Sequence, residues 1–338
     1  MRSPLVVRPA LRAGLCALAA LVVLPAARAA DDARVWLARM TEAVTENTYQ
    51  GEFLHLGNGH VEKLFIVHRL KDGRVNERLV SVSRHGREII RNGTEVQCYL
   101  PDRHEVLVES HGAHGTMLGT LPAFDNDLEA NYRVELAGTA LSILGRPARL
   151  VTVNPRDGYR FGYRVWIDEE THMPVRTELC DAAGAVIEQV LFTSLKVGGT
   201  LPDAAFRPTV QADGFTWVRQ QPSAALPRPA ASAWQLVQLP PGFRISSSGE
   251  EQLPGSGAPV THLVLSDGLA SVSVFIEGPP APPRLATEGE GRVGSSFAYS
   301  RVVGGHQVTA VGEVPPATVQ FIASGVSEAA AAAFAPRP

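Results

Sequence analysis

The densest run of charged and aromatic side chains is Arg156-Asp157-Gly158-Tyr159-Arg160-Phe161-Gly162-Tyr163-Arg164-Val165-Trp166. Read as a strand over 159–168, it puts Tyr159, Phe161, Tyr163 and Val165 on one face and Arg160, Arg164 and Trp166 on the other. Two chemistries suit that pattern. An ordinary strand buries its aromatic face and leaves the arginines in water. A ligand-binding strand lines a cavity with the rings and sets the arginines at its rim, where guanidinium groups pair with anionic groups. Cys98 and Cys180 are a second candidate: in an oxidising compartment they either bridge, if their strands are neighbours, or stay as buried thiols. Neither sits in a Cys-x-x-Cys motif, which argues against a catalytic thiol. His111-Gly112-Ala113-His114, with His104 upstream, comes nearest to a metal signature. Without carboxylate or cysteine company it reads as a solvated loop, and no metal or cofactor is expected.

No Gly-x-Ser-x-Gly elbow, Ser-x-x-Lys, His-Glu-x-x-His, phosphate loop or dinucleotide fingerprint occurs in the chain. A binding protein rather than an enzyme is expected. Its location is legible at the start of the chain. Arg2, Arg8 and Arg12 flank or precede an apolar run over 13–24, and Ala27-Arg28-Ala29 follows as a small-x-small cleavage pattern. The apolar core is shorter than the roughly 20 residues a membrane span needs, so 1–29 reads as a secretory signal peptide, cleaved after Ala29 or Ala30. Its removal from the 338 residues leaves 309, with 27 basic against 34 acidic side chains, a net charge of −7. An acidic, exported chain is a poor nucleic-acid binder, and none is expected as a partner. Its length exceeds the roughly 250 residues at which single cores split, so two domains are expected.

The elements that must position these residues follow from periodicity. Val35, Trp36, Met40, Ala43 and Val44 recur at helical spacing over 31–47, where Asp31 and Asp32 suit the positive helix end. From Tyr49 the period becomes two, with turns at Gly57-Asn58-Gly59, Asp72-Gly73, His85-Gly86, Asn92-Gly93 and Pro101-Asp102. That rhythm predicts an antiparallel meander, a short helix over 124–130 and strands at 133–136, 149–154, 159–168, 175–180 and 187–195. Pro208, Pro222, Pro227 and Pro229 among many alanines predict a linker. Beyond it, Asp267-Gly268 closes a hairpin whose second strand turns Ala270, Val272, Val274 and Ile276 to one face. Strands at 299–303 and 307–314 and a helix over 318–324 follow. The expected division is a signal peptide at 1–29, domains at 30–208 and 233–326 joined by a linker at 209–232, and a flexible tail at 327–338.

Separated segments resemble the RseB/MucB family, the periplasmic regulators of the envelope-stress sigma factor. In the first half these are Tyr49-Gln50-Gly51, His68 with Asp72-Gly73, Glu77-Arg78-Leu79, Arg87-Glu88-Ile89-Ile90-Arg91, Cys98-Tyr99-Leu100-Pro101-Asp102 and Tyr159-Arg160-Phe161-Gly162-Tyr163-Arg164. In the second they are Leu239-Pro240-Pro241-Gly242-Phe243, the 266–277 hairpin, and Gly305-His306-Gln307-Val308-Thr309 with Val311-Gly312-Glu313-Val314-Pro315. Each is weak alone; their order along the chain is specific. The resemblance implies a mainly β (α+β) fold: a LolA/LppX-like unclosed antiparallel β-barrel wrapped round helices, plus a smaller α+β carboxy-terminal domain. It implies a periplasmic protein that binds the periplasmic segment of an RseA/MucA-type anti-sigma factor and shields it from the site-1 protease DegS or its counterpart. Lipopolysaccharide or another envelope lipid is the implied releasing ligand, and a homo-oligomer is compatible with it. On this reading Phe275 and His306 join Tyr159, Arg160, Phe161, Tyr163 and Arg164 as partner- or ligand-binding candidates. The competing class is a lipid or lipoprotein carrier, for which the amino-terminal domain alone would suffice.

Overall fold

Alternation of apolar and polar residues from Tyr49 onward builds one long sheet in the computed structural model, which describes residues 25–82, 86–110, 117–118, 126–137, 141–219, 234–251, 258–278 and 288–329. Its strands are β1 (Tyr49–Gly57), β2 (His60–Lys71), β3 (Arg74–Ser81), β4 (Glu88–Asn92), β5 (Glu95–Leu100), β6 (Glu105–Ser110), β7 (Tyr132–Leu136), β8 (Leu141–Ile143), β9 (Arg146–Pro155), β10 (Gly162–Asp168), β11 (Pro174–Cys180), β12 (Val186–Val197) and β13 (Thr216–Arg219). They run in the order β13-β6-β5-β4-β3-β2-β1-β12-β11-β10-β9-β7, with β8 beside β9. The end strands β13 and β7 do not pair with each other, so the barrel is unclosed. Helix α1 (Pro25–Glu46) fills its concave side with Ala33, Leu37, Met40 and Val44, one stripe at helical spacing, against Phe53, Ile66, Val153, Val165 and Phe192. Val35 was expected on that stripe; it is exposed. The helix also starts at Pro25, ahead of Asp31 and Asp32. A short α2 (Asn126–Asn131) leads into β7.

Two other expectations change. Glu88, buried in the outer face, accepts hydrogen bonds from Thr209 N at 2.7 Å, from the Thr209 hydroxyl, and from Arg78 at 2.9 Å. Burial alone would raise its carboxyl; these bonds outweigh burial and hold it below the usual carboxylate range. Thr209 is thereby pinned, Val210, Ala212 and Phe215 cover Ile90, Tyr99, Val106 and Val108, and β13 adds parallel to β6. Residues 209–219 of the expected linker therefore belong to the first sheet, because buried Glu88 and an apolar patch hold them there; 220–233 lie outside the described residues. The cysteines are both free. Five strands separate β5, which carries Cys98, from β11, which carries Cys180, and neighbouring strands are about 4.8 Å apart, so the disulfide alternative fails. The 111–114 histidine run lies outside the described residues, as does the expected tail from 330 onward; the tail's first residues, Ser327 and Glu328, instead belong to a strand that pairs with Trp234–Leu236.

The second domain comprises β14 (Trp234–Leu236), β15 (Arg244–Glu251), β16 (Val260–Ser266), β17 (Ser271–Glu277), β18 (Gly289–Val293), β19 (Ser296–Val303), β20 (His306–Gly312), α3 (Pro316–Ser324) and β21 (Val326–Glu328). Its main sheet runs β15-β16-β17-β20-β19-β18, and β14 pairs with β21. Ala270, Val272, Val274 and Ile276 face the core as the alternation predicts, packing with Leu263, Leu265, Val308 and Ala310 and with Val319 and Ile322 of α3. No described helix is long and apolar enough to cross a membrane.

Candidate functional site between the two domains

The aromatic-arginine run is where the two domains meet. Residues 156–160 form a bend, and β10 begins only at Gly162, so the expected alternation fails before that residue. The bend lets successive side chains reach different parts of the second domain. Thr318 of α3 donates to the Tyr159 carbonyl at 3.0 Å, and the Tyr159 ring lies 5.4 Å from Phe321. Phe161 faces Phe297 of β19 at 6.3 Å. Between them Arg160, expected at a wet rim, is only 1 % exposed. Its guanidinium donates to Asp157, to Asp267 in the β16–β17 turn and to the Pro241 carbonyl, and lies 5.1 Å from the Phe243 ring. Burial disfavours its charge, yet the bonds to Asp267 and Asp157 prevail and hold its proton more firmly than in a free arginine.

Asp267 is the matching anion. Its Oδ1 accepts from Leu269 N at 2.9 Å and Ala270 N at 2.7 Å, as a turn-forming aspartate should. Its Oδ2 accepts from Arg160 and, at 2.9 Å, from the Tyr132 hydroxyl at the start of β7. Burial and then the Asp267 charge push the Tyr132 hydroxyl far above the ordinary tyrosine range, so it stays a donor. The turn is a four-residue loop, Asp267 N bonding the Ala270 carbonyl at 3.2 Å. Two glycines permit close approach of the domains here. Gly268 has φ +100°, and a Cβ there would lie 3.3 Å from Leu128 of α2; Gly242 has φ +79° and faces Asn131 so closely that a Cβ would collide. Gly268→Val should therefore lower the melting temperature of the second domain, by an amount equivalent to about 1–3 kcal/mol, and loosen its seat on α2. An unchanged melting temperature by differential scanning calorimetry would remove this account of the turn.

Beyond this knot opens a cavity of about 490 Å³ lined by Met40, Leu118, Tyr163, Val190 and Phe192 from the first domain and by Leu269 and Glu313 from the second. A second space of about 360 Å³ shares Tyr163, Leu269 and Glu313 and adds Ser271, Ser273 and Ser296. The two form one cleft, apolar toward the barrel and hydroxyl-lined toward the small sheet. Across from the knot, the β18–β19 turn reaches the β1–β2 turn: a Cβ on Gly294 would lie 3.8 Å from Asn58 Nδ2. Glu188, which accepts from His55 at 2.7 Å, Glu313 and Arg176 make the charged part of the wall, and Arg176 is already committed to Glu178 and to the face of Trp166 at 4.6 Å, which leaves the two carboxylates. Burial and then Glu313, Asp267 and Glu188 raise the Tyr163 hydroxyl above its ordinary range.

Of the sequence candidates, the structure gathers Tyr159, Arg160, Phe161 and Tyr163 at the domain junction. Arg164 is committed beside it, to Glu178 at 3.3 Å and the Gly184 carbonyl at 2.7 Å. Phe275 and His306 stand apart. Phe275 stacks on His262 at 4.4 Å, and His306 packs on Trp234 at 4.9 Å. Sequence reasoning missed Asp267, Tyr132, Glu188 and Glu313 as members of the site. Only Asp267 carried a signal, as a turn residue, and its second oxygen had no visible partner.

Models of two families match the chain: "MucB/RseB N-terminal domain" over residues 32–210 and "MucB/RseB C-terminal domain" over 228–327. The sigma factor AlgU regulatory protein MucB of Pseudomonas aeruginosa is 32% identical over 94% of this chain and 98% of that protein. The solved MucA/MucB complex of Pseudomonas aeruginosa superposes with a TM-score of 0.69 at 28% identity, covering 89% of this chain and all of that one. A crystal structure of MucB superposes with a TM-score of 0.60, with 27% identity over 88% of this chain and 98% of that one.

Proposed function

This chain belongs to the MucB/RseB family, and from that premise we propose that it is a periplasmic negative regulator of an envelope-stress sigma factor. It binds the periplasmic segment of a MucA/RseA-type anti-sigma factor in the cleft between its domains and keeps the segment from site-1 proteolysis. The observation that carries this reading is that neither domain makes the cleft alone: Met40, Tyr163 and Phe192 come from one, Leu269 and Glu313 from the other. A lipid carrier would need only the first.

The wall also defines the chemistry of the occupant. Apolar side chains beside Glu188 and Glu313 suit an apolar peptide segment bearing a basic residue. Arg160 and Arg164, expected to greet anionic headgroups, are both engaged inside the protein. A lipid-like releasing signal would therefore compete through its acyl chain. Because both ligands draw on one cleft, binding of one excludes the other, and each weakens the other in proportion to its own concentration over its dissociation constant.

Purified mature protein, held in excess, should slow cleavage of the cognate anti-sigma factor's periplasmic segment by the site-1 protease, followed by gel densitometry, and each domain alone should fail. Cleavage unchanged at concentrations well above the substrate would overturn the regulator reading and leave lipid carriage.

A further inference from the structure

The outer face of the barrel carries a groove unrelated to the cleft. The His68 ring turns inward to the Thr45 carbonyl of α1, so its neighbour Arg69 points outward. There Arg69, Lys71 and Arg74 on the β2–β3 hairpin face Arg207, just past the single turn Asp203–Phe206, across a space of about 640 Å³; Arg91 of β4 borders the space but is buried, lies opposite inward-facing Glu77 and donates to the Gly93 carbonyl. Four outward-facing cations meet three carboxylates, Asp72, Glu95 and Asp203, in a chain whose net charge is −3. The local sign is thus opposite to that of the whole protein. Asn76, Asn92 and Gln97 add amide groups to the lining.

The cations are not equally committed. Arg69 is rigid: it holds Asp203 at 2.6 Å, Asn76 Oδ1 at 3.2 Å and the Leu201 carbonyl at 3.1 Å, and lies 4.3 Å from the Phe206 ring centroid. Lys71 shares the same Asp203 carboxylate at 3.4 Å. Bonds from Arg69 and then Lys71 hold the Asp203 carboxyl below the usual range, although it is largely exposed. One oxyanion between two cations is already the arrangement an external anion would adopt. Arg74 and Arg207 are exposed and have no acidic partner among the described residues. Glu95 is occupied with Arg219 at 3.5 Å and Gln97 at 2.7 Å.

We propose that this groove binds a phosphate monoester, with Arg74 and Arg207 supplying the free charge and Arg69 and Lys71 shared between the ligand and Asp203. Guanidinium pairs recognise phosphate through parallel charge-assisted bonds, and amide side chains can serve hydroxyls next to it. Asp203 then acts as a built-in competitor that sets the affinity. The site does not depend on the cleft or on the regulator reading.

The test uses the whole mature protein at low ionic strength. Calorimetric titration with glucose 6-phosphate reads the soluble source. Flotation with phosphatidylcholine vesicles, with and without phosphatidic acid, reads the lipid headgroup. Binding in either arm supports the site and identifies the source. Arg74→Gln with Arg207→Gln should weaken it about tenfold, from two lost ion pairs, with an unchanged melting temperature because neither side chain has an acidic partner. Asp203→Asn should tighten it by about threefold, which a merely structural role for Asp203 would not do. Absence of binding in both arms, equal affinity in the double variant, or weaker binding by Asp203→Asn would each overturn the proposal.

Discussion

Arg160→Met should cost about 3–5 kcal/mol of stability, the range for removing one partner of a buried ion pair. Methionine matches the length of the arginine stem but leaves the Asp267 charge buried with Tyr132 and two backbone amides as its remaining donors. The Pro241 carbonyl and Asp157 Oδ2 lose the Arg160 donor as well, while Asp157 Oδ1 keeps Tyr159 N. The damage should concentrate at the domain junction, because Arg160 touches the second domain at both Asp267 and Pro241. Protection of the anti-sigma factor should fall with it. Arg160→Met combined with Asp267→Asn should recover a substantial part of the loss, since no buried charge is then left unpaired. Urea unfolding of the wild type and the two variants reads the result. A single-variant loss below about 1 kcal/mol, the scale of an exposed pair, would mean that the knot does not hold the domains.

The second large effect is expected inside the barrel. Glu77, fully buried on β3, accepts from His68 Nδ1 at 2.9 Å and from Met117 N at 3.0 Å, while His68 Nε2 faces the Thr45 carbonyl at 3.0 Å and Tyr49 stacks on the ring at 4.6 Å. Glu77→Leu strands both His68 and the Met117 amide, and should likewise cost about 3–5 kcal/mol. It should also reach the cleft, because Met117 is the attachment point of Leu118, which lines it. Glu77→Gln keeps an acceptor oxygen and should lose much less. If thermal melts of the leucine and glutamine variants coincide, this network does not anchor that wall.

The elements themselves were legible. The β16–β17 hairpin has the predicted inward set because a period-two alternation admits only one register against a core. The stripe on α1 was legible in Met40, Ala43 and Val44, but Val35 was misplaced. A helix over 31–47 offers two adjacent apolar arcs, and the sheet chooses one. The strand at Gly162 was placed three residues early because tyrosine and phenylalanine suit a strand and a packed bend equally well. The linker as read from composition takes in eleven residues, 209–219, that pack on the first domain, since proline and alanine content cannot report that Glu88 lies buried nearby in need of donors.

The family and the mostly β fold were determined by the sequence alone, since local alternation, turn residues and ordered motifs are written along the chain. The fate of each charge was decided by the tertiary structure. Arg160 read as a rim residue because its partners, Asp267 and Pro241, stand 107 and 81 positions away, and only folding brings them within hydrogen-bond reach. The same holds for the cleft, whose apolar and carboxylate walls come from different domains. A local pattern specifies which face of a strand is dry. Whether a charged side chain on that strand meets water, a ligand or an opposite charge depends on pairings between distant segments, and these are settled by the cost of burying a charge without a partner.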